Sequence, residues 1–179
     1  LTFNEYIHNP ESRFSEALRT LRTSISLSTL SNKGTQRLLV TSSQSSEGKT
    51  SVALTLATAM GQTSKVLLID GDLRRPSLER ILNQSHHKSR GLSDVIAQSS
   101  TIEEATHHRE DALIDVMFAG STTLRQLELL SSREFSVLID ELSKRYDAIV
   151  IDSPPCIAVS DAYVLSTHAD SVVYVTKYD

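Results

Sequence analysis

Cysteine is nearly absent: Cys156 stands alone in 179 residues. No intramolecular disulfide can form, which fits a reducing compartment. Directly after Pro154-Pro155, it reads as a small packed thiol. Long apolar runs are missing as well. No stretch reaches the roughly 18 residues a membrane-crossing helix needs, the first residues carry no signal-peptide pattern, and Leu1 need not be the natural start. Positive charge is not in excess: 18 Lys and Arg face 22 Asp and Glu, a net charge of −4. Without a basic stripe, nothing argues for a nucleic-acid partner. Linker-like stretches are also lacking, so residues 1–179 are expected to form a single domain, which at this length buries about 70% of its unfolded surface.

Three segments instead end an apolar strand at a phosphate-handling or acidic turn. The first runs Arg37-Leu-Leu-Val-Thr-Ser-Ser-Gln-Ser-Ser-Glu-Gly-Lys-Thr50 and continues into Val52, Leu54, Leu56, Ala57 and Met60 at helical spacing. Strand, tight loop and helix start make an anion cradle, in which backbone N–H groups and the helix N-terminus face the phosphates. Residues Ser45, Ser46, Glu47, Gly48, Lys49, Thr50 and Ser51 would line it. Lys49 would reach the β- and γ-phosphates and the Thr50 hydroxyl would ligate Mg²⁺. The strict pattern G-x-x-x-x-G-K-[ST] fails at Ser43, and Ser46 sits where a further glycine would ease close backbone approach.

The second segment, Val66-Leu-Leu-Ile-Asp-Gly-Asp72, brings an apolar strand out into two carboxylates two residues apart. Side chains at that spacing share a face, so Asp70 and Asp72 can point together beyond the carboxyl end of a sheet, where open α/β folds bind ligands. Ala148-Ile-Val-Ile-Asp152 supplies a further carboxylate in the same way. Three acids and a lysine-bearing loop suit Mg²⁺–ATP, a hard cation held by few carboxylates plus substrate phosphates. For any one of these aspartates a turn role is as good an account; the coincidence of all three favours the site. Arg74 and Arg75 follow the second segment and either contact phosphate or remain solvated charges.

Periodicity predicts strands near 37–42, 65–70, 112–118, 147–152 and 171–176, and helices near 12–30, 49–62, 123–130, 133–145 and 159–168. Asn9-Pro10 reads as a helix start, with the asparagine as cap. This alternation predicts an α/β fold: a P-loop NTPase-like parallel β-sheet with helices on both faces. Segment 83–111, with His86-His87 and His107-His108, is expected to loop. Neither histidine pair has the spacing of a zinc site, so surface positions are expected. Tyr174, in the last strand, is expected in the core.

With these motifs in place, the chain resembles the bacterial tyrosine kinases of capsule and exopolysaccharide synthesis. Gly48-Lys49-Thr50 matches their P-loop, Val66–Arg74 (VLLIDGDLR) their second Walker-like motif and Ile149–Pro155 (IVIDSPP) their Walker B. The likeness extends to Glu16-Ala-Leu-Arg-Thr-Leu-Arg22, to Gly91–Ile96 and to Glu128–Arg133. It departs at Ser45-Ser46, where family members usually carry Pro-Gly, and at 121–124, where they have a proline-containing turn. The resemblance implies an ATP- and Mg²⁺-dependent protein-tyrosine autokinase that regulates polysaccharide polymerisation and export. Lys49, Asp70, Asp72 and Asp152 would be catalytic, Asp70 as the base taking the tyrosine proton, with Thr50, Asp72 and Asp152 on the metal. It also implies a ring-like homo-oligomer docked through Glu16, Arg19 and Arg22, a membrane co-polymerase or activator acting in cis or in trans, protein tyrosine substrates, and a cytoplasmic place at the inner face of the cell membrane. Without the resemblance, Glu16, Arg19 and Arg22 are a solvated helix face with a weak ion pair.

Two other readings share the fold. A partitioning or membrane-cycling ATPase switch would carry a signature lysine where this chain has Gln44. A degenerate nucleotide-binding module, regulating without phosphorylating, is kept open by Ser43 and Ser46. The family's tyrosine-rich tail follows the last strand, whereas this chain stops at Asp179 with Tyr6, Tyr146 and Tyr163 scattered, so a fragment of a longer chain is expected.

Overall fold

A computed structural model describes residues 9, 11–28, 34–82, 90–121 and 124–177. Its centre is a six-stranded sheet in the order β3-β4-β2-β5-β1-β6. The strands are β1 (Gln36–Ser42), β2 (Val66–Asp70), β3 (Thr106–Arg109), β4 (Ile114–Met117), β5 (Ala148–Asp152) and β6 (Ser171–Val175). Near-continuous apolar runs such as Val66–Ile69 and Ala148–Ile151 are buried on both faces, as parallel strands flanked by helices must be. One face packs Leu38, Val40, Leu68, Val116 and Val150 against α1 (Arg13–Ser28) and α2 (Lys49–Gly61). The opposite face packs Leu39, Leu67, Ile69, Ile149 and Ile151 against a second group of helices. These are α4 (Leu92–Ile96), α5 (Ile102–Ala105), α6 (Gln126–Leu130), α7 (Arg133–Leu142) and α8 (Asp161–Ser166). Among the described residues no helix is long and apolar enough to cross a membrane.

Local chemistry explains the helices. In α7, Phe135, Leu138, Ile139 and Leu142 are buried at helical spacing, and the Ser132 side chain caps the start by accepting the Phe135 N–H. In α2 almost every residue from Thr50 onward is buried. Its hydroxyls stay satisfied internally, Thr55 donating to the Ser51 carbonyl and Thr58 to that of Leu54. The first helix starts later than Asn9-Pro10 predicts. Ser12 is the side chain that accepts the Ser15 N–H, and Asn9 contributes its carbonyl to the Ser15 hydroxyl; Pro10 lies outside the described residues.

Other expectations need correction. Segment 90–111 is not a loop: it holds α4, α5 (Ile102–Ala105) and β3, while 83–89, with His86-His87, lies outside the described residues. The short turn 110–113 cannot provide a crossover, so β3 pairs antiparallel to β4, with Thr106 opposite Met117. Thr106-His-His-Arg109 lacks the alternation of a strand, which is why the sequence hides it. There His107 stacks on Phe118 at 5.3 Å and His108 pairs with Asp115 at 2.7 Å. A one-turn helix, α3 (Leu78–Ile81), also went unanticipated. Tyr174 is 51% exposed rather than in the core. It lies on edge strand β6, whose Val173 and Val175 turn inward against the α1/α2 face. Cys156 is half-buried, its Sγ 3.9 Å from the Tyr174 hydroxyl.

Candidate active site

Strand parity and register assemble the site. Asp70 and Asp152 continue the alternation of Leu68 and Val150, so both face the α2 side, and they are register partners on adjacent strands. Gly71 tightens the join, its N–H donating to the Asp152 carbonyl at 2.8 Å. A Cβ there would sit 2.9 Å from that oxygen, so a side chain would push the two strand ends apart.

The loop after β1 adopts a phosphate-cradle form with serine, not glycine, at 43 and 46. Ser46 holds φ 66° and Gly48 φ 93°. Residue 46, where a glycine would ease close backbone approach, is left-handed, and a serine there bears a backbone strain of about 1–2 kcal/mol. The loop is braced by Glu47, whose carboxylate accepts the Gln44 N–H at 2.7 Å, and by the Ser42 hydroxyl on the Gln44 carbonyl. Lys49 then opens α2. Ser45, Ser46, Gly48, Lys49, Thr50 and Ser51 line a cleft of about 570 Å³. Glu47 does not; it works as the brace.

At the cleft floor, Lys49 Nζ is 3.5 Å from Asp72 Oδ2 and 3.9 Å from Asp152 Oδ1. Asp152 is fully buried, and neither of its oxygens has a hydrogen bond. Burial pushes its carboxyl up to about 6, against the pull of Lys49 and Thr50. Asp70 is pushed further, to about 8, by burial first and then by Asp152. A buried acid with orphaned oxygens beside a lysine and a hydroxyl is a donor set short of a cation. It fits Mg²⁺, which takes one or two carboxylates and leaves the remaining positions to water and phosphate. Among the described residues no three His, Cys, Asp or Glu side chains could hold a metal by themselves.

Asp70, expected as the base, does not line the cleft. One of its oxygens accepts the Ser77 and Leu78 N–H groups, both at 3.2 Å, and the other the Asp72 N–H at 3.3 Å. Asp72 is the carboxylate on the cleft wall. Arg74, Arg75 and Arg80 line the same cleft. Arg74 is bound bidentately by the buried Asp161 of α8, at 2.7 and 2.9 Å, so it also ties the turn after β2 to that helix. Sequence reasoning missed Asp161, Arg80 and Ser77. No motif marks them, since each acquires its place only through tertiary contact.

Glu16, Arg19 and Arg22 lie on α1, away from the cleft. Arg19 pairs with Glu16 at 2.8 Å on the exposed face. Arg22 turns inward and donates to the Ala59 carbonyl of α2 at 2.9 Å, which gives it a role within the domain.

Comparison with known proteins agrees with this geometry. The AAA domain family matches residues 24–179. A putative tyrosine-protein kinase, CapB of Staphylococcus aureus, is 34% identical over 172 residues, covering 95% of this chain and 74% of CapB. Tyrosine-protein kinase Wzc of Salmonella typhi is 35% identical over 96% of this chain, which spans 24% of that longer protein. Among solved structures, the kinase domain of Escherichia coli tyrosine kinase ETK superposes with a TM-score of 0.90 at 30% identity, covering 97% of this chain and 68% of that one. The septum site-determining protein MinD of Pyrococcus horikoshii, complexed with Mg-ADP, reaches a TM-score of 0.66 at 26% identity, covering 79% of this chain and 58% of that one. With a P-loop fold, a lysine at its cleft and relatives of this kind, the chain belongs to the bacterial tyrosine-protein kinases.

Proposed function

We propose that this domain transfers the γ-phosphoryl group of ATP to tyrosine hydroxyls of proteins, itself included, and does so in service of polysaccharide polymerisation and export. The observation that carries the reading is the buried, unbonded Asp152 carboxylate, set just behind the cleft lining beside Lys49 and Thr50. Lys49, which lies against Asp72 and Asp152 in the free protein, is placed to turn to the β- and γ-phosphates when nucleotide enters. Ser45, Ser46, Gly48 and Ser51 offer backbone N–H groups and hydroxyls to the same oxygens. Thr50 and Asp152 would hold Mg²⁺, with Asp72 beside them. Bound there, Mg²⁺ supplies positive charge across the β- and γ-phosphates.

The tyrosine proton goes to the Asp70–Asp72 pair. Asp72, the carboxylate on the cleft wall, is the member placed to meet the hydroxyl, and Asp70 behind it, raised by burial and by Asp152, backs that carboxylate rather than meeting the substrate. Little covalent chemistry is asked of the protein; positioning and charge neutralisation carry the step. The switch reading is weaker, because Gln44 replaces the signature lysine and the kinase relatives are closer in sequence and structure. The binding-module reading is weakened by the loop itself, which takes its left-handed turn at Ser46 despite the missing glycine.

By analogy with kinases of longer chain, the domain acts at the inner face of the cell membrane with a polysaccharide co-polymerase or activator and assembles with copies of itself. Glu16 and Arg19 are the exposed members of the proposed contact, and Arg22 ties the same helix to α2 through the Ala59 carbonyl. Arg19→Ala should shift the mass seen by light scattering toward monomer with thermal stability unchanged, since an exposed pair contributes little to folding. An unchanged mass from an assembling wild type returns Glu16 and Arg19 to a solvated face.

Lys49→Met should lower turnover of ATP about 10²-fold or more, the size of a lost electrostatic stabiliser. Asp152→Asn should raise the Mg²⁺ concentration needed for half-maximal turnover. Wild-type turnover in Lys49→Met at saturating Mg²⁺, or an unchanged Mg²⁺ requirement in Asp152→Asn, rejects the assignment.

The raised acids make stability depend on pH. Asp70 and Asp152 keep protons in the folded state that they lose near pH 3.8 when unfolded. Between those limits the native state binds more protons, so their contribution is full below about pH 4 and is lost as pH rises through about 6 and then about 8. Nucleotide-free wild type should therefore lose more Tm between about pH 5 and about pH 8 than Asp70→Asn does. Equal slopes would show that Asp70 is ionised throughout.

A further inference from the structure

Ser77 occupies the N-cap position of α3, where a serine oxygen ordinarily accepts a backbone N–H of the first turn. Here its side chain makes no such bond. The Asp70 carboxylate holds the backbone of that turn instead, accepting the Ser77 and Leu78 N–H groups. Freed from capping, the Ser77 hydroxyl points across the cleft floor and donates to Thr50 Oγ1 at 3.1 Å. Ser77 also lines the cleft with Thr50 and Asp72.

Thr50 Oγ1 therefore has two donors, Ser77 and, at 3.4 Å, Lys49 Nζ. A hydroxyl oxygen has two lone pairs and one proton. When Lys49 turns to phosphate, one lone pair of Thr50 becomes free for a cation while Ser77 still occupies the other. The Thr50 proton is left for the unbonded Asp152 carboxylate. We infer that Ser77, planted by Asp70, is a positioning residue of the cation site: it fixes the Thr50 hydroxyl with one lone pair turned toward the metal. The inference rests on the Mg²⁺–nucleotide reading above and extends it to a residue outside the three motifs. It also gives Asp70 a second task, because the carboxylate that stands behind Asp72 sets the backbone from which Ser77 reaches Thr50.

The test is binding rather than turnover. Affinity for a fluorescent ATP analogue is titrated with Mg²⁺ and with EDTA, for wild type, Ser77→Ala and Ser77→Thr, and the gain in affinity due to Mg²⁺ is compared. Ser77→Ala should lose about fivefold to tenfold of that gain, the size of one hydrogen bond, while its affinity in EDTA stays within about twofold of wild type. Ser77→Thr, which keeps the hydroxyl, should retain the gain. If Ser77→Ala keeps the full gain, or weakens binding equally in EDTA, the positioning role is overturned and the nucleotide reading stands. A wild type that gains nothing from Mg²⁺ overturns the nucleotide reading and this inference together.

Discussion

Three carboxylates, Asp70, Asp72 and Asp152, are buried side by side at the carboxyl ends of β2 and β5. Among the described residues Lys49 is the cation within 4 Å of them, at 3.5 Å from Asp72 and 3.9 Å from Asp152. Taking charge out of water costs several kcal/mol per ion unless partners repay it, and one lysine cannot repay three acids. The protein responds in two ways: Asp70 and Asp152 hold their protons more tightly, and Asp70 collects three backbone N–H bonds. What remains is a deficit of positive charge at Asp152, where the oxygens have no hydrogen bond. A divalent cation carrying phosphate meets that deficit; an apolar ligand would deepen it.

The rest of the fold holds this imbalance in place. The parallel register of β2 and β5 sets Asp70 beside Asp152, and period-two alternation turns both toward α2. The close approach at Gly71 locks the strand ends, and the Arg74–Asp161 pair anchors the following turn to α8. Apolar packing on both sheet faces supplies the rigidity that such a site needs. Pre-organised charge of this kind is what lowers a phosphoryl-transfer barrier.

Much of this was legible in the chain because its carriers are local. Lys49, Thr50, Asp70, Asp72 and Asp152 each follow an apolar run, and period-two spacing alone puts the acids at strand ends. Ser46 was legible as standing in a glycine's place because a cradle needs close backbone approach there; that the residue takes a positive φ came only with the structure. What stayed hidden depends on distant partners. Strand β3 exists because Ile114–Met117 offers it an edge, not because Thr106–Arg109 has strand character. Tyr174 is exposed because no described helix covers the outer face of β6. Asp70 was assigned to the cleft by its spacing, but the turn that wraps it to Leu78 could not be read from spacing. Arg22 and Ser77 found their partners, Ala59 and Thr50, 37 and 27 residues away.

The central claim is that this charge-deficient floor serves phosphoryl transfer to tyrosine. The direct measurement supplies γ-labelled ATP, Mg²⁺ and a glutamate–tyrosine copolymer to the purified protein and follows where the label goes. Label on copolymer tyrosine, dependent on Mg²⁺, is the predicted result. Label released only as free phosphate, or left wholly on ATP, would contradict the account, the first in favour of an ATPase switch and the second of a nucleotide-binding module.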